Sequence, residues 1–242
     1  MKRLHIVVCC ALFILAFGVR LYGFSNPLAD WHSWRQSDTA AVARNFQKFG
    51  IDLLHPRYDD LSNIQSGKDN PQGYRMVEFP IYQAVSVVTA RAVPSLPIEQ
   101  VLRLVSICFT AGSVVIIFLL LQRIVDFPTA IIGGLFYAVL PFSIFYGRTI
   151  LPDPMATLFA LLSLLLLTIG GTPAHRYALV LSAASAAAIS VLVRPMAVFL
   201  LFPAAFLLWE KGRMKQTIIN IFLFAAVLIT PLYMWRQFIT HY

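Results

Sequence analysis

Residues 77–97 read VEFPIYQAVSVVTARAVPSLP, and whether this stretch crosses a membrane decides the orientation of everything after it. Glu78, Pro80, Arg91, Pro94 and Pro97 leave a short apolar core between Ile81 and Ala90, well under the roughly 20 residues a helix needs to cross about 30 Å of hydrocarbon. Longer apolar runs occur near 4–24, 101–122, 129–147, 155–171, 177–193, 195–209 and 216–235, which predicts seven spans. Counting 77–97 as an eighth reverses the side of every later loop. Without it, the cytoplasmic side receives Lys2, Arg3, Arg123, Arg176, Lys211, Arg213 and Lys215, and the opposite short loops receive only Arg148, Arg194 and Arg236. With it, Lys211, Arg213 and Lys215 move outside. The positive-inside rule therefore predicts a cytoplasmic N-terminus and places 77–97 on the outer surface as a helix.

Composition points the same way. Of 242 residues, 59% are hydrophobic and 12% charged, where a soluble domain carries roughly a quarter charged residues. Backbone polar groups in hydrocarbon must be paired internally, and the runs are too long for barrel strands. The expected fold is an all-α, polytopic membrane helical bundle forming a single module over 1–242. The net charge of +8 does not indicate nucleic acid, because Lys and Arg sit at the ends of apolar runs and not on one face. Cys9, Cys10 and Cys108 lie in apolar stretches without metal-ligand spacing. The first run exceeds the roughly 7–15 residues of a signal-peptide core and is expected to remain as a span.

This topology leaves residues 25–100 as one long extracytoplasmic loop holding eight of the eleven acidic residues, with His32 and His55. Asp38 to Phe49 reads as a short amphipathic helix with Asp38 at or near its start, where a carboxylate caps free amides. Arg57 to Tyr74 reads as irregular loop. The turn Tyr146–Pro154 falls on the same outer side, so Asp153 is predicted to face the loop.

Two carboxylates stand out as candidate catalytic residues. Asp38 lies in DWHSWRQSDTA, where it suits general-base work, while Arg35 suits paired hydrogen bonds to an anion and His32 is a further substrate contact. Asp153, in GRTILPDP, either caps the next helix ahead of Pro154 or faces a site, since a carboxylate at the membrane boundary needs a partner. Arg148 and Arg194 sit outside against the usual bias for basic residues; they either bind phosphate or snorkel to headgroups. Glu78 and Tyr82 are candidates to line the same site, Glu78 alternatively being a solvated helix-start residue. Trp31 and Trp34 read as interface anchors. The five His form no metal box, but Asp38 with Asp153 is a candidate pair for a divalent metal ion. P-loop, Rossmann and GxSxG patterns are absent.

HSWRQSDTAAVARNF after the first span, then EFPIYQ, then YGRTILPDPMATLF at the third to fourth span turn, together resemble membrane glycosyltransferases of the GT-C fold. The nearest resemblance is to the bacterial branch related to dolichyl-phosphate-mannose protein mannosyltransferases and lipid A aminoarabinose transferases, grouped as glycosyltransferase family 39. The resemblance implies a polyprenyl-phosphate sugar donor, a lipid, glycan or protein hydroxyl acceptor, and inverting transfer outside the cell inner or plasma membrane, with a loop Asp as base. Asp38 matches that Asp, although Thr39 stands where many relatives carry a Glu, and Asp30 is the substitute. Asp153 matches the second acidic position, a metal or substrate contact, with Arg148 as companion. Relatives continue through further spans, so a truncated chain is expected. Two other readings stay open: a transporter or flippase for a lipid-linked sugar, and an inactive fragment that binds lipid.

Overall fold

The computed structural model describes residues 2–28, 32–63, 67–210 and 212–241. Asp30 and Trp31 lie outside them. The chain is built from helices α1 (Lys2–Val19), α2 (Ser33–Phe49), α3 (Ile81–Ala92), α4 (Ile98–Leu121), α5 (Phe127–Val139), α6 (Pro141–Tyr146), α7 (Asp153–Leu167) and α8 (Pro173–Val193), a 3₁₀ segment (Pro195–Leu201), α9 (Phe202–Leu207) and α10 (Met214–Thr240).

Among the described residues, three helices are long and apolar enough to cross a membrane: Ile98–Leu121, Ala174–Val193 and Met214–Thr240. The other apolar segments, Arg3–Val19, Phe127–Val139, Asp153–Leu167 and Pro195–Leu207, are shorter helices. Their shortness has local causes. Pro141 interrupts the third apolar run, because the preceding residue is pushed out of helical backbone: Leu140 has ψ 122° and separates α5 from α6. In Pro195–Leu207, the 3₁₀ segment rises about 2 Å per residue, against about 1.5 Å in an α-helix, so 13 residues reach about 23 Å.

The stretch 77–97 becomes α3, a helix of 12 residues bounded by Pro80 and Pro94. It packs on α2 and α4. From α2, the buried positions Gln36, Thr39, Ala40, Ala43 and Phe46 follow helical spacing, and their small side chains let α2 approach Val87 and Ala90 of α3 and Leu102 and Val105 of α4 within one apolar cluster. Among the remaining helices α1 packs on α4 and α5, α4 on α7, α7 on α8 and α8 on α10. The α7–α8 contact is close because α8 presents Ala183, Ala184 and Ala187, all fully buried; small residues are how membrane helices gain contact. Ser190 Oγ donates to the Ala156 carbonyl across it at 2.7 Å.

Cations staple the two ends of the bundle. At one end Arg176 pairs with Glu210 at 3.0 Å and donates to the carbonyls of Leu167 and Leu207. At the other, three buried arginines hold the chain leaving α1. Arg20 donates to the Ala16 and Ala138 carbonyls and to Ser143 Oγ. Arg103 donates to the carbonyls of Phe24, Asn26 and Pro27, and Arg148 to that of Gly23 at 3.3 Å. These guanidiniums satisfy backbone acceptors that a coil against the bundle would otherwise leave unpaired.

The segment Arg57–Tyr74 is not wholly irregular. An antiparallel bridge closes it, with Tyr58 N to Gly73 O and Arg75 N to Pro56 O both at 2.8 Å, and Gly73 supplies the required positive φ of 63°. Helix α2 starts at Ser33, ahead of the predicted Asp38. Asp38 is therefore inside the helix and caps nothing.

Candidate functional site

Two hydrogen bonds between distant segments set the frame. Gln36 Oε1, fully buried, accepts from Ile150 N at 3.1 Å, tying α2 to the turn before α7. Phe79 N donates to Leu192 O at 3.0 Å, tying the approach to α3 onto the end of α8. Together they bring Arg35 of α2, Glu78, Asp153 at the start of α7 and Arg194 at the end of α8 to one place.

Glu78 is the centre of this cluster. Its side chain is 8% exposed, and one carboxylate oxygen takes both Arg35 and Arg194, the latter at 3.0 Å. The expectation of a solvated helix-start residue is not met, because two guanidiniums compensate its burial. Arg194 also reaches Asp153 through Nε at 3.0 Å. Pro152, not Asp153, takes the N-cap position of α7, and Asp153 is the first residue of the helix; its carboxylate is half exposed and has Arg194 as partner.

His32, Arg35, Asp153 and Arg194 line a cavity of about 500 Å³ together with Tyr137, Phe142, Tyr146 and Leu151. His32 has φ 58°, the only non-glycine residue with positive φ among those described; this conformation costs roughly 1–2 kcal/mol and turns the chain into α2 with the imidazole 6.2 Å from the Tyr146 ring. The lining thus combines charged and polar side chains with aromatic ones.

Asp38 opens on a different space. One turn beyond Trp34 on α2, it pairs with Arg75 at 3.0 Å, and the two line a second cavity of about 720 Å³ with Trp34, Tyr58, Lys68 and Arg236. Burial raises the Asp38 carboxyl above the ordinary carboxylate range, with Arg75 pulling it back and Asp60 adding to the rise. Arg35 stands between the cavities. Burial and then the nearby Arg194 and Arg75 lower its pKa, while the charges of both Asp153 and Asp38 act against that fall.

The other predicted residues lie elsewhere. Tyr82 is fully buried and its hydroxyl bonds to the Leu102 carbonyl and Ser106 Oγ, both at 2.8 Å; it packs α3 on α4 and lines neither cavity. Arg148 is buried beneath the rings of Tyr22 and Phe145 and holds Gly23, so it supports the wall and is not placed for phosphate. Asp38 and Asp153 line different cavities and each is engaged by an arginine, an arrangement that does not fit one shared divalent ion. No group of three or more ligating side chains occurs among the described residues. Reading the sequence missed Arg75, Gln36, Arg20 and Arg103. Arg75, Arg20 and Arg103 share one signal, a cation beside apolar residues, whereas Gln36, between Arg35 and Ser37, carries none.

No match to this chain is found among curated proteins or among solved structures. A family match is found over residues 97–235, more than half of the chain. It takes in α4 through most of α10 with Arg148, Asp153 and Arg194, and leaves out α2, Asp38 and Glu78. The chain belongs to the dolichyl-phosphate-mannose-protein mannosyltransferase family.

Proposed function

We propose that the chain transfers a glycosyl group from a polyprenyl-phosphate sugar to a hydroxyl acceptor at the outer face of a cell membrane, with inversion and with Asp38 as general base. Family membership implies glycosyl transfer from a lipid-linked sugar. The observation that carries the finer reading is Arg35, which lies between an arginine-lined, aromatic-walled cavity and a second cavity holding Asp38.

In this reading the donor phosphate lies against Arg35 and Arg194, whose guanidiniums stay charged and match phosphate geometry. The prenyl chain leaves past Phe142 and Tyr146 toward lipid. The acceptor oxygen attacks the anomeric carbon as the bond from that carbon to the phosphate oxygen breaks. The phosphate departs with the electron pair, its charge held by the two arginines, and the hydroxyl proton passes to Asp38. Glu78 and Asp153 keep the arginines in place before the donor arrives. No step runs through a metal. The seven apolar segments cross an inner or plasma membrane with the N-terminus cytoplasmic, which puts both cavities on the outer side.

The test uses purified protein in sealed vesicles with polyprenyl-phosphate sugar labelled in the sugar. Label transferred to a water-soluble or lipid acceptor supports the proposal. Label that crosses the bilayer still attached to the prenyl phosphate overturns it in favour of transport.

A further inference from the structure

We infer that the cavity beside Asp38 is an acceptor subsite built for a carbohydrate, with Trp34 as its stacking platform. This rests on the reading of Asp38 as base, and it names the class of acceptor that base would serve.

Trp34 and Asp38 are four residues apart on α2, so they stand one above the other on the same helix face, and both line the second cavity. Trp34 is 62% exposed. Sequence alone makes it an anchor in the membrane interface, but in the structure it shares a cavity with Asp38, Asp60, Lys68 and Arg75. Tyr58 and Tyr74 also line this cavity, yet each already has a guanidinium over its ring, Arg75 at 5.2 Å and Arg57 at 5.5 Å. The indole is the aromatic surface left for a ligand.

The chemistry around it favours a sugar over the other hydroxyl acceptors. A pyranose has an apolar C–H face and a rim of hydroxyls. An indole presents a large rigid apolar face, and Asn63, Lys68, Arg75 and the Asp38 carboxylate supply donors and acceptors around it. A lipid alcohol would need a wholly apolar channel, whereas here Asp38, Asp60, Lys68, Arg75 and Arg236 set charges among the apolar side chains. A peptide that binds by adding a strand needs a free sheet edge, whereas among the described residues the pairing in this loop is one isolated bridge. The volume of about 720 Å³ is in the range of sites for small organic ligands.

The test is binding without donor, read as the change in tryptophan fluorescence when purified protein is titrated with methyl hexopyranosides, with methyl N-acetylhexosaminides, with octanol and with a Ser/Thr-containing peptide. At least one glycoside should give a saturable change. Trp34→Ala should remove the signal, and competition against a fluorescently labelled glycoside should show binding weakened about tenfold, or ~1.4 kcal/mol. Trp34→Phe, which keeps a ring, should retain most of the affinity, and Asp38→Asn should still bind. Equal glycoside affinity in wild type and Trp34→Ala overturns the stacking assignment. A saturable response to octanol or peptide alone, or to none of the four, overturns the carbohydrate class. Because no turnover is measured, loss of transfer in the vesicle assay leaves this result standing, and the two readings fail separately.

Discussion

Replacing Glu78 by Gln should cost much more than a surface carboxylate would. Glu78 is 8% exposed and takes two arginines, Arg35 at 16% and Arg194 at 30% exposure. Breaking a buried pair by removing one partner costs about 3–5 kcal/mol, because an uncompensated charge stays behind. Here two guanidiniums are left facing each other. The partial exposure of Arg194 and its second bond to Asp153 reduce the penalty, and the amide oxygen of Gln still accepts one hydrogen bond. About 2–3 kcal/mol is the expected loss, and at roughly 2–4 °C per kcal/mol for a chain of this size the melting temperature in detergent should fall by about 4–12 °C. Thermal unfolding followed by far-UV circular dichroism measures it. Pairing Glu78→Gln with Arg194→Gln should give a loss smaller than the sum of the single losses, since the second change removes one of the stranded charges. A melting temperature within 1 °C of wild type, or strictly additive losses, would refute the idea that Glu78 organises the cluster.

Three other outcomes follow from the same structure. Gly23→Ala should destabilise by about 1–2 kcal/mol through the left-handed backbone alone, because Gly23 has φ 68°, and a Cβ would also come within 2.8 Å of Arg148 Nη1; an unchanged melting curve contradicts the tight left-handed turn at Gly23. Arg103→Met should free the carbonyls of Phe24, Asn26 and Pro27 and make the segment after α1 a site of rapid proteolysis, seen as a new fragment by mass spectrometry, where wild type resists. In pH dependence, the raised Asp38 carboxyl should move the acid limb of kcat/KM above the ordinary range of about 4, since a base works only when deprotonated. The stability effect has the opposite sense. A folded pKa above the unfolded one stabilises at low pH, and that contribution is lost as pH rises through the folded value. Asp38→Asn should therefore flatten the mildly acidic part of the stability profile, and a profile identical to wild type contradicts the shift.

The helical bundle was legible because hydrophobic run length is a property of sequence alone. The proline-bounded core at 81–90 was read as a short surface helix and forms α3. What run length does not encode is where a cation at the end of a run sends its head. Arg20, Arg103 and Arg148 look alike in sequence to residues that snorkel, yet each turns inward: Arg103 and Arg148 to backbone carbonyls of the chain after α1, and Arg20 to the carbonyls of Ala16 and Ala138 and the Ser143 hydroxyl, contacts set by how α1, α4 and α5 pack. Tyr82 failed as a site residue for a similar reason: its spacing places it near the cluster, but its rotation on α3 points the hydroxyl at Leu102 and Ser106. Asp153 stood out as an acid between two apolar runs, and Asp38 by the dense ionisable and aromatic residues around it in DWHSWRQSDTA. Arg194, the partner of Asp153, was among the candidates too, but Arg75 was not, because it reaches Asp38 only through the bridge at Arg57–Tyr74, a contact between positions 37 residues apart. The supposed two-carboxylate site separated into two cavities on either side of Arg35.

The proposed mechanism depends most on Asp38, so the most direct test is the rate of sugar transfer from labelled polyprenyl phosphate by purified Asp38→Asn, set against wild type with both shown to bind donor and to melt alike. Loss of a positioned general base should lower the rate by about 10²–10⁴-fold with donor affinity unchanged. A rate equal to wild type would remove Asp38 from the chemistry.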